Sequence, residues 1–220
     1  MTGFSQLETS TIHRKRTTSR EVRSEERAGE DISLILVRET TVKRKDESFF
    51  SRKEVQKRCV MRPSFWILST GTELAQGRSR DTNSAEIARK LADLGFDVIG
   101  ISILPDDPEI ILAYLQWLQS RNDVTALIMT GGLGPTSDDH TIDVLGRWTG
   151  SALIEDPTAL RRLEAFARLR RRIDIETARR QVRVLADADV IPNNTGLAPG
   201  VLGSVVRETQ PLWYCALPGV

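Results

Sequence analysis

The chain has 220 residues, of which 40% are apolar and 28% charged, and its net charge is +1 at pH 7. These values are typical of a globular protein with one domain, with or without a tail, and argue against a disordered chain. No apolar run approaches the roughly 20 residues that cross a bilayer. The two cysteines are more typical of free thiols in a reducing compartment than of a disulfide framework. We therefore expect a cytoplasmic protein with no membrane partner.

The charge is unevenly distributed along the chain. Residues 1–62 carry 15 of the 31 basic and 10 of the 30 acidic residues, whereas residues 63–220 carry 16 and 20, a net charge of −4. The first segment lacks proline and regular apolar spacing, which predicts a disordered extension. A basic arm that contacts nucleic acid, or translation that starts at Met61, are the alternatives. Residues 63–220 are predicted to form the domain, and their acidity makes nucleic-acid binding unexpected.

The first strand and helix of this domain follow one another closely. Residues 65–68 form a short apolar run that ends near Gly71, which is typical of a buried strand entering a loop. Asn83 and Glu86 have the spacing of a capping box, so a helix is expected to begin there. Gly95 is expected to end it.

Two more pairs of a strand and a helix are predicted. Residues 97–104 indicate a strand, and Asp107 with Pro108 indicate the start of the next helix. Residues 124–129 indicate a third buried strand, followed by a glycine-rich loop and a helix that begins near Asp138. This alternation predicts an α/β fold, a three-layer, doubly wound, mostly parallel sheet with helices on both faces. The loops after the strands would meet at one edge, where such sheets bind ligands.

The loop TGGLGPTSDDHT, residues 130–141, carries the strongest chemical signal. Adjacent glycines let the backbone turn sharply and approach a ligand, and a following helix start offers N–H groups and a positive dipole end. A P-loop would need a lysine that is missing here, and a Rossmann fingerprint would need a glycine in place of Ser137. The loop therefore predicts a phosphate cradle of another kind.

Two neighbouring acids, Asp138 and Asp139, follow the cradle. Either could cap the helix. Two carboxylates would repel a neighbouring diphosphate unless a divalent cation lay between the carboxylates and the phosphates. Mg²⁺ is commonly held by one or two carboxylates plus phosphate oxygens. We favour Asp138 as the cap and Asp139 as the metal-linked acid, and we keep both as candidate metal ligands.

This loop is similar to the GGLGPTxDDxT motif of CinA-type proteins, which share a fold with the MoaB and Mog enzymes of molybdenum-cofactor synthesis. Four other segments resemble motifs of the same family, in the same order. They are TGTELAQGRSRDTN (70–83), LPDD (104–107), PNNTGLAPG (192–200) and LPGV (217–220). The resemblance covers nearly all of residues 64–220. It implies a CinA-type N-terminal domain with a MoaB/Mog-like fold, truncated within its last motif.

The resemblance also implies the residues of the site. Asp106 and Asp139 would be catalytic, in metal-assisted chemistry. The neighbouring acids Asp139 and Asp138 remain the candidate ligands of the divalent metal, Mg²⁺ or Co²⁺. The residues implied to bind phosphate or nucleotide are Glu73, Asp81, Asn83, Thr130, Gly131, Gly132, Gly134, Pro135, Thr136, Ser137, Gln181, Asn194, Thr195, Gly196 and Gly200. Ordinary loop acids and an ordinary turn are the alternatives for Glu73, Asp81, Asn194 and Gly196.

Residues 161–183 contain nine arginines. Apolar residues at helical spacing favour two amphipathic helices with solvated arginine faces. The alternative is that Arg179, Arg180 and Gln181 contact phosphate, because the NRKQ motif of the family falls here as ARRQ. Arginine clamps phosphate with a different geometry from lysine.

The resemblance implies a metal-dependent nucleotide pyrophosphatase that hydrolyses ADP-ribose to AMP and ribose 5-phosphate. The alternatives are molybdopterin binding or adenylyl transfer in the same cradle, and a non-catalytic fragment. The expected partner is a nucleotide diphosphate or a pterin. Relatives in this family form dimers or trimers, so a homo-oligomer is a further expectation, although the sequence shows no interface.

Overall fold

The computed structural model describes residues 62–169 and 174–219. The predicted extension, residues 1–62, lies outside the described residues except for Arg62, so its boundary stays a prediction. Among the helices that the structure describes, none has the length and apolar character needed to cross a membrane.

The described residues form alternating strands and helices. The strands are β1 (Ser64–Thr70), β2 (Asp97–Leu104), β3 (Ala126–Thr130), β4 (Leu153–Glu155), β5 (Arg183–Leu185), β6 (Asp189–Ile191), β7 (Gly200–Val205) and β8 (Leu212–Leu217). The helices are α1 (Thr72–Ala75), α2 (Thr82–Asp93), α3 (Pro108–Ser120), α4 (Thr141–Thr149), α5 (Pro157–Leu169) and α6 (Ile175–Ala178), and a 3₁₀ turn covers Arg179–Val182.

A six-stranded sheet organises the domain in the order β2-β1-β3-β8-β7-β6. The first four strands of this order are parallel, and β7 runs antiparallel to both of its neighbours. Ser69 is paired with Ile103 on one side and with Thr130 on the other, so the carboxyl ends of β1, β2 and β3 are aligned. Strands β4 and β5 form a separate antiparallel pair. The predicted mostly parallel α/β sheet is confirmed.

Helices cover both faces of the sheet. Leu127 and Met129 of β3 are fully buried in the main core, together with apolar residues of α3 and α4. Thr130 points to the other face, where its Oγ1 accepts a hydrogen bond from Asn83 of α2 at 3.4 Å. Because alternate residues of a strand point to opposite faces, α2 lies on the face opposite α3 and α4. The predicted three-layer arrangement is confirmed.

Two predicted helix starts were wrong. Helix α2 is capped by Asp81, whose Oδ1 accepts from the Ser84 N–H at 2.9 Å, so Asn83 lies inside the helix rather than at its cap. Helix α4 begins at Thr141 behind His140, without a side-chain cap, and Asp138 therefore caps nothing. Asp107 does cap α3, with Pro108 as its first residue, as predicted.

A second, smaller core lies beneath the arginine-rich segment. It consists of Ala159 and Leu163 of α5, Ala178 of α6 and Val182 of the 3₁₀ turn, with Leu197 packed against it. The predicted amphipathic character of this segment is seen in α5, which buries Ala159 and Leu163. We call this group the satellite core.

Candidate functional site

A cavity of about 270 Å³ opens beside the glycine loop, where β3 and β8 end. The glycine loop, the turn at Asp139, the 3₁₀ turn, the loop before β7 and the residues after β8 all contribute to it. Its walls are Gly131, Gly132, Leu133, Gly134, Asp139, Gln181, Asn193, Gly196, Leu197, Ala198, Pro218 and Gly219. The alignment of the parallel strands brings these segments together, as expected for the ligand edge of such a sheet.

The first two glycines of the loop are required by its shape. Gly131 has φ = 97° and Gly132 has φ = 67°, a left-handed conformation that other residues adopt only with strain. A Cβ atom on Gly131 would lie 2.5 Å from the Thr70 carbonyl oxygen, and one on Gly132 would lie 2.3 Å from Thr141 Oγ1. The backbone therefore follows a path that a side chain would block.

Thr141, the first residue of α4, holds the glycine loop. Its hydroxyl donates to the Gly131 carbonyl at 2.9 Å, and its N–H donates to the Gly132 carbonyl at 3.0 Å. In a trans peptide the N–H points away from the carbonyl, so the N–H groups of Gly132 and Leu133 point away from Thr141. The first N–H group of α4 thus fixes the loop and is not free for a ligand, in contrast to the simple helix-start expectation.

Three successive N–H groups of the loop are left for a ligand. Within residues 62–169 and 174–219, nothing accepts a hydrogen bond from the N–H of Gly132, Leu133 or Gly134. All three residues line the cavity. Consecutive backbone N–H groups in a turn form a concave site for an anion. This arrangement can bind a phosphate without a lysine or an arginine.

Asp139 is held at the edge of the same cavity. Thr136 donates to its Oδ2 from the N–H at 2.8 Å and also from its hydroxyl. Asp139 Oδ1 accepts no hydrogen bond from any described residue. A Cβ atom on Gly134 would lie 2.6 Å from Oδ2, so the missing side chain at Gly134 makes room for the carboxylate. Asp138 is exposed, bonds Ser137 Oγ at 3.0 Å and does not line the cavity.

The acids after β1 and β2 hold loops together. Asp106 Oδ2 accepts from the Thr72 N–H at 2.7 Å, and its own N–H donates to Thr72 Oγ1 at 3.1 Å. This reciprocal pair joins the loops that follow the two strands.

Asp81, the cap of α2, has a lowered pKa. Burial raises the pKa of Asp81, but the hydrogen bonds that it accepts, led by those from Ser84, outweigh burial and leave the pKa below its ordinary value.

The loop before β7 is organised by Asn193, which the sequence interpretation missed. Its Oδ1 accepts from the N–H groups of Thr195 at 3.0 Å and Gly196 at 2.9 Å, and its Nδ2 donates to the Ala198 carbonyl at 2.9 Å. An Asn followed by Asn-Thr-Gly is a common signal for a turn closed by the first side chain. That signal could have identified Asn193 in place of the exposed Asn194.

The arginines of the ARRQ segment contact protein groups. Arg179 pairs with Glu155 at 3.2 Å and with Glu176 at 3.7 Å. Arg180 donates to the carbonyls of Thr136 at 3.2 Å and Asp139 at 3.3 Å. Of the three residues proposed to contact phosphate, Gln181 lines the cavity.

The implied site residues therefore fall into two groups. Those that line the cavity are Gly131, Gly132, Gly134, Asp139, Gln181 and Gly196. Those that lie outside its lining are Glu73, Asp81, Asn83, Asp106, Thr130, Pro135, Thr136, Ser137, Asp138, Asn194, Thr195 and Gly200. The lining that was not expected comprises Leu133, Asn193, Leu197, Ala198, Pro218 and Gly219.

The donor set fits a divalent cation held jointly with a substrate. In residues 62–169 and 174–219, no group of three or more His, Cys, Asp or Glu side chains is placed to bind a metal. Asp139 offers one carboxylate oxygen that has no partner among the described residues, and it lines the same cavity as three N–H groups suited to phosphate. Mg²⁺ usually keeps several waters and binds one or two carboxylates plus substrate phosphates, which this set permits.

Known proteins are similar to much of this chain. The family described as "Probable molybdopterin binding domain" matches residues 66–220. A CinA-like protein of Leptospira interrogans is 45% identical over 164 residues, 72% of this chain and 38% of that protein. A CinA-like protein of Leptospira biflexa is 41% identical over 165 residues, 73% of this chain and 39% of that protein. The chain thus spans well under half the length of these curated relatives.

A solved structure agrees with the fold. The protein CinA of Thermoplasma acidophilum, described as of unknown function, is 24% identical, with a TM-score of 0.61 over 73% of this chain and 90% of that chain. This likeness supports the α/β fold. The family match covers more than half of the chain, and so the chain belongs to the probable molybdopterin-binding domain family and has CinA-like relatives.

Proposed function

We propose that this domain is a metal-dependent hydrolase of a nucleotide diphosphate, with ADP-ribose as the substrate and AMP and ribose 5-phosphate as products. One observation carries the proposal. Among the described residues, three backbone N–H groups and one carboxylate oxygen of Asp139 have no hydrogen-bond partner, and the residues that carry them line the same cavity. The N–H groups would bind one phosphate. The carboxylate would face the charge of the diphosphate.

Local donors are needed because the domain as a whole does not attract anions. Residues 63–220 carry a net charge of −4. Backbone N–H groups of the glycine loop would neutralise part of the phosphate charge, and their fixed geometry costs no reorganisation as charge develops. A divalent cation, bound by Asp139 and diphosphate oxygens, would polarise phosphorus and lower the pKa of a bound water.

The size and polarity of the cavity suit part of a nucleotide. The cavity of about 270 Å³ lies just below the roughly 300–1,000 Å³ that ligand cavities usually measure. It would therefore enclose part of a nucleotide, such as a diphosphate and an adjoining sugar. Leu133, Leu197, Ala198 and Pro218 give it apolar walls for the carbon face of a sugar or ring. Hydrolysis would add one water across the P–O–P bridge, with one phosphate leaving on AMP and the other on ribose 5-phosphate.

Binding of a molybdopterin, with or without adenylyl transfer, is the second candidate. The family match favours it, because the family is described as molybdopterin-binding. The same N–H groups would hold the phosphate, and the apolar walls would contact the pterin. This candidate predicts tight pterin binding and no release of AMP from ADP-ribose.

The test compares neighbouring acids in the full chain. Wild type, Asp139→Asn and Asp138→Asn would be assayed for AMP release from ADP-ribose with Mg²⁺ or Co²⁺, and for binding of molybdopterin. Asn at position 139 keeps an oxygen for the Thr136 donors but removes the charge, so its rate should fall about 100-fold or more. Asp138→Asn should change the rate little. Equal loss in both variants, or none in either, would contradict the assignment.

A further inference from the structure

Two arginines bind main-chain carbonyls in two separate segments at the cavity. Arg162 of α5 donates from Nη1 to the Asn193 carbonyl and from Nη2 to the Gly196 carbonyl at 3.0 Å. Arg180 of the 3₁₀ turn donates to the carbonyls of Thr136 and Asp139. Asn193, Gly196 and Asp139 line the cavity, so each arginine is bound to a different segment of the cavity wall.

Arg162 is bound to carbonyls rather than to an acid. In the part of the chain that the structure describes, it forms no ion pair, and its guanidinium is part-buried. Arg180 reaches Asp143 at 3.6 Å, but Asp143 is already held by Arg183 through two bonds of 2.9 and 2.8 Å. The main-chain carbonyls are therefore the principal partners of Arg162 and the nearer partners of Arg180.

The segment that carries both arginines is anchored by its own apolar contacts. The satellite core joins α5, α6 and the 3₁₀ turn, and Leu197 from the cavity wall packs against it. Leu163 and Val182 of this core are fully buried. The arginines thus project from a packed support, and the wall that contains Leu197 is fixed to this support by both packing and hydrogen bonds.

We propose that Arg162 and Arg180 are positioning residues that set the separation of the two cavity walls. Arg162 holds the loop of residues 193–198 that would contact the ligand. Arg180 holds the turn that presents Asp139. A guanidinium has a rigid fork of donors that binds two carbonyls at once, which an ammonium group does not reproduce. The wall geometry follows from these contacts alone, whereas its effect on catalysis rests on the proposed function.

Hydrogen exchange of the ligand-free full chain tests the wall geometry without any assay of activity. The variants are Arg162→Gln, Arg162→Lys, Arg180→Gln and Arg180→Lys, with Arg161→Gln as the control because Arg161 is exposed and contacts Thr158. The hydrogen-bonded amides of Thr195 and Gly196 should exchange about tenfold faster or more in both Arg162 variants, because charge-assisted hydrogen bonds that hold their loop are lost. The hydrogen-bonded amides of Thr136 and Asp139 should do so in both Arg180 variants. Exchange in β1 and β3 should stay unchanged.

Kinetics separate positioning from simple stability. With ADP-ribose and Mg²⁺, Arg162→Gln should raise KM about tenfold with little change in kcat, and Arg180→Gln should mainly lower kcat, by about tenfold. Lysine should not restore either value, although it keeps the charge. Unchanged exchange of both walls in all four variants, or full rescue by lysine, would overturn the inference. Faster exchange in the arginine variants, together with no AMP release by the folded wild-type chain, would leave the positioning role intact and reject the proposed hydrolase.

Discussion

A single methyl group at Gly134 should displace the Asp139 carboxylate. Gly134 does not have the positive φ of Gly131 and Gly132, so alanine can adopt its backbone conformation. The new Cβ atom would lie 2.6 Å from Asp139 Oδ2. Since ordinary contacts of this kind begin near 3.4 Å, the carboxylate must move by about 0.8 Å. The Thr136 N–H bond of 2.8 Å would then stretch to about 3.6 Å, beyond hydrogen-bonding distance.

Stability and activity should respond differently to Gly134→Ala. Loss of a hydrogen bond in an exposed turn costs about 0.5–1.5 kcal/mol. Replacing a glycine by alanine at a compatible position stabilises by about 0.4–1 kcal/mol through the unfolded state. The free energy of unfolding should therefore change by less than about 1 kcal/mol. If Asp139 acts as proposed, AMP release should fall by about 100-fold.

Urea unfolding and initial rates of AMP release from ADP-ribose measure the two effects. Asp139→Asn and the double variant Gly134→Ala/Asp139→Asn complete the cycle. Because both single changes act on the same carboxylate, the double variant should be no slower than Asp139→Asn alone. A Gly134→Ala protein with a wild-type rate would refute the reasoning, and so would additive losses in the double variant.

Other predictions concern the support of the loop, acid stability and thiol reactivity. Thr141→Val removes the hydroxyl that holds the Gly131 carbonyl, and should lower the free energy of urea unfolding by about 1–2 kcal/mol and raise the KM for ADP-ribose. Thr149→Val removes a hydroxyl that bonds the Leu145 carbonyl and the Ser151 N–H at the far end of α4, and it should leave KM unchanged. Equal KM values for the two variants would argue against the loop contact. The pKa of Asp81 lies below its ordinary value of 3.8 in the folded chain, so Asp81 stabilises the fold above that value, and this stability is lost as pH falls through the lowered pKa. Urea unfolding between about pH 5 and pH 2 should show a weaker pH dependence for Asp81→Asn than for wild type, and parallel curves would exclude this contribution. Burial raises the pKa of Cys215 to about 12, so a Cys59→Ser chain should not react with a disulfide reagent at about pH 8 until urea unfolds it, and rapid reaction of the folded chain would contradict the buried placement.

Much of the architecture could be predicted because each element carries a local pattern. The bounds of β2 agree with the strand predicted at residues 97–104, and Asp107 with Pro108 correctly marks the start of α3. Helix starts that have several candidate capping residues were harder to predict from the sequence. Asp81 and Asn83 are both good capping residues, and tertiary contacts decide between them. Asp139 folds back on Thr136 in a separate turn, which delays α4 to Thr141.

The glycine loop could be predicted from sequence, but the rest of the cavity could not. The double glycine and the acid that follows identify one wall by local spacing. The segment of the wall at residues 193–198 depends on Asn193 and on Arg162, which contacts carbonyls 31 and 34 residues away along the chain. Pairing between a surface helix and a distant loop leaves no periodic signal in one sequence. Similarly, Arg180 is a residue type that commonly binds phosphate, but its contacts are with the turn at Asp139.

The rate of AMP release from ADP-ribose by the full chain with Mg²⁺, compared with that of Asp139→Asn at equal folded concentration, tests the central proposal most directly. We expect release that requires the metal and falls about 100-fold in the variant, while the urea unfolding curves of the two proteins stay alike. Release by wild type and Asp139→Asn at the same rate, or no release from fully folded wild type, would contradict the assignment of this cavity to diphosphate hydrolysis.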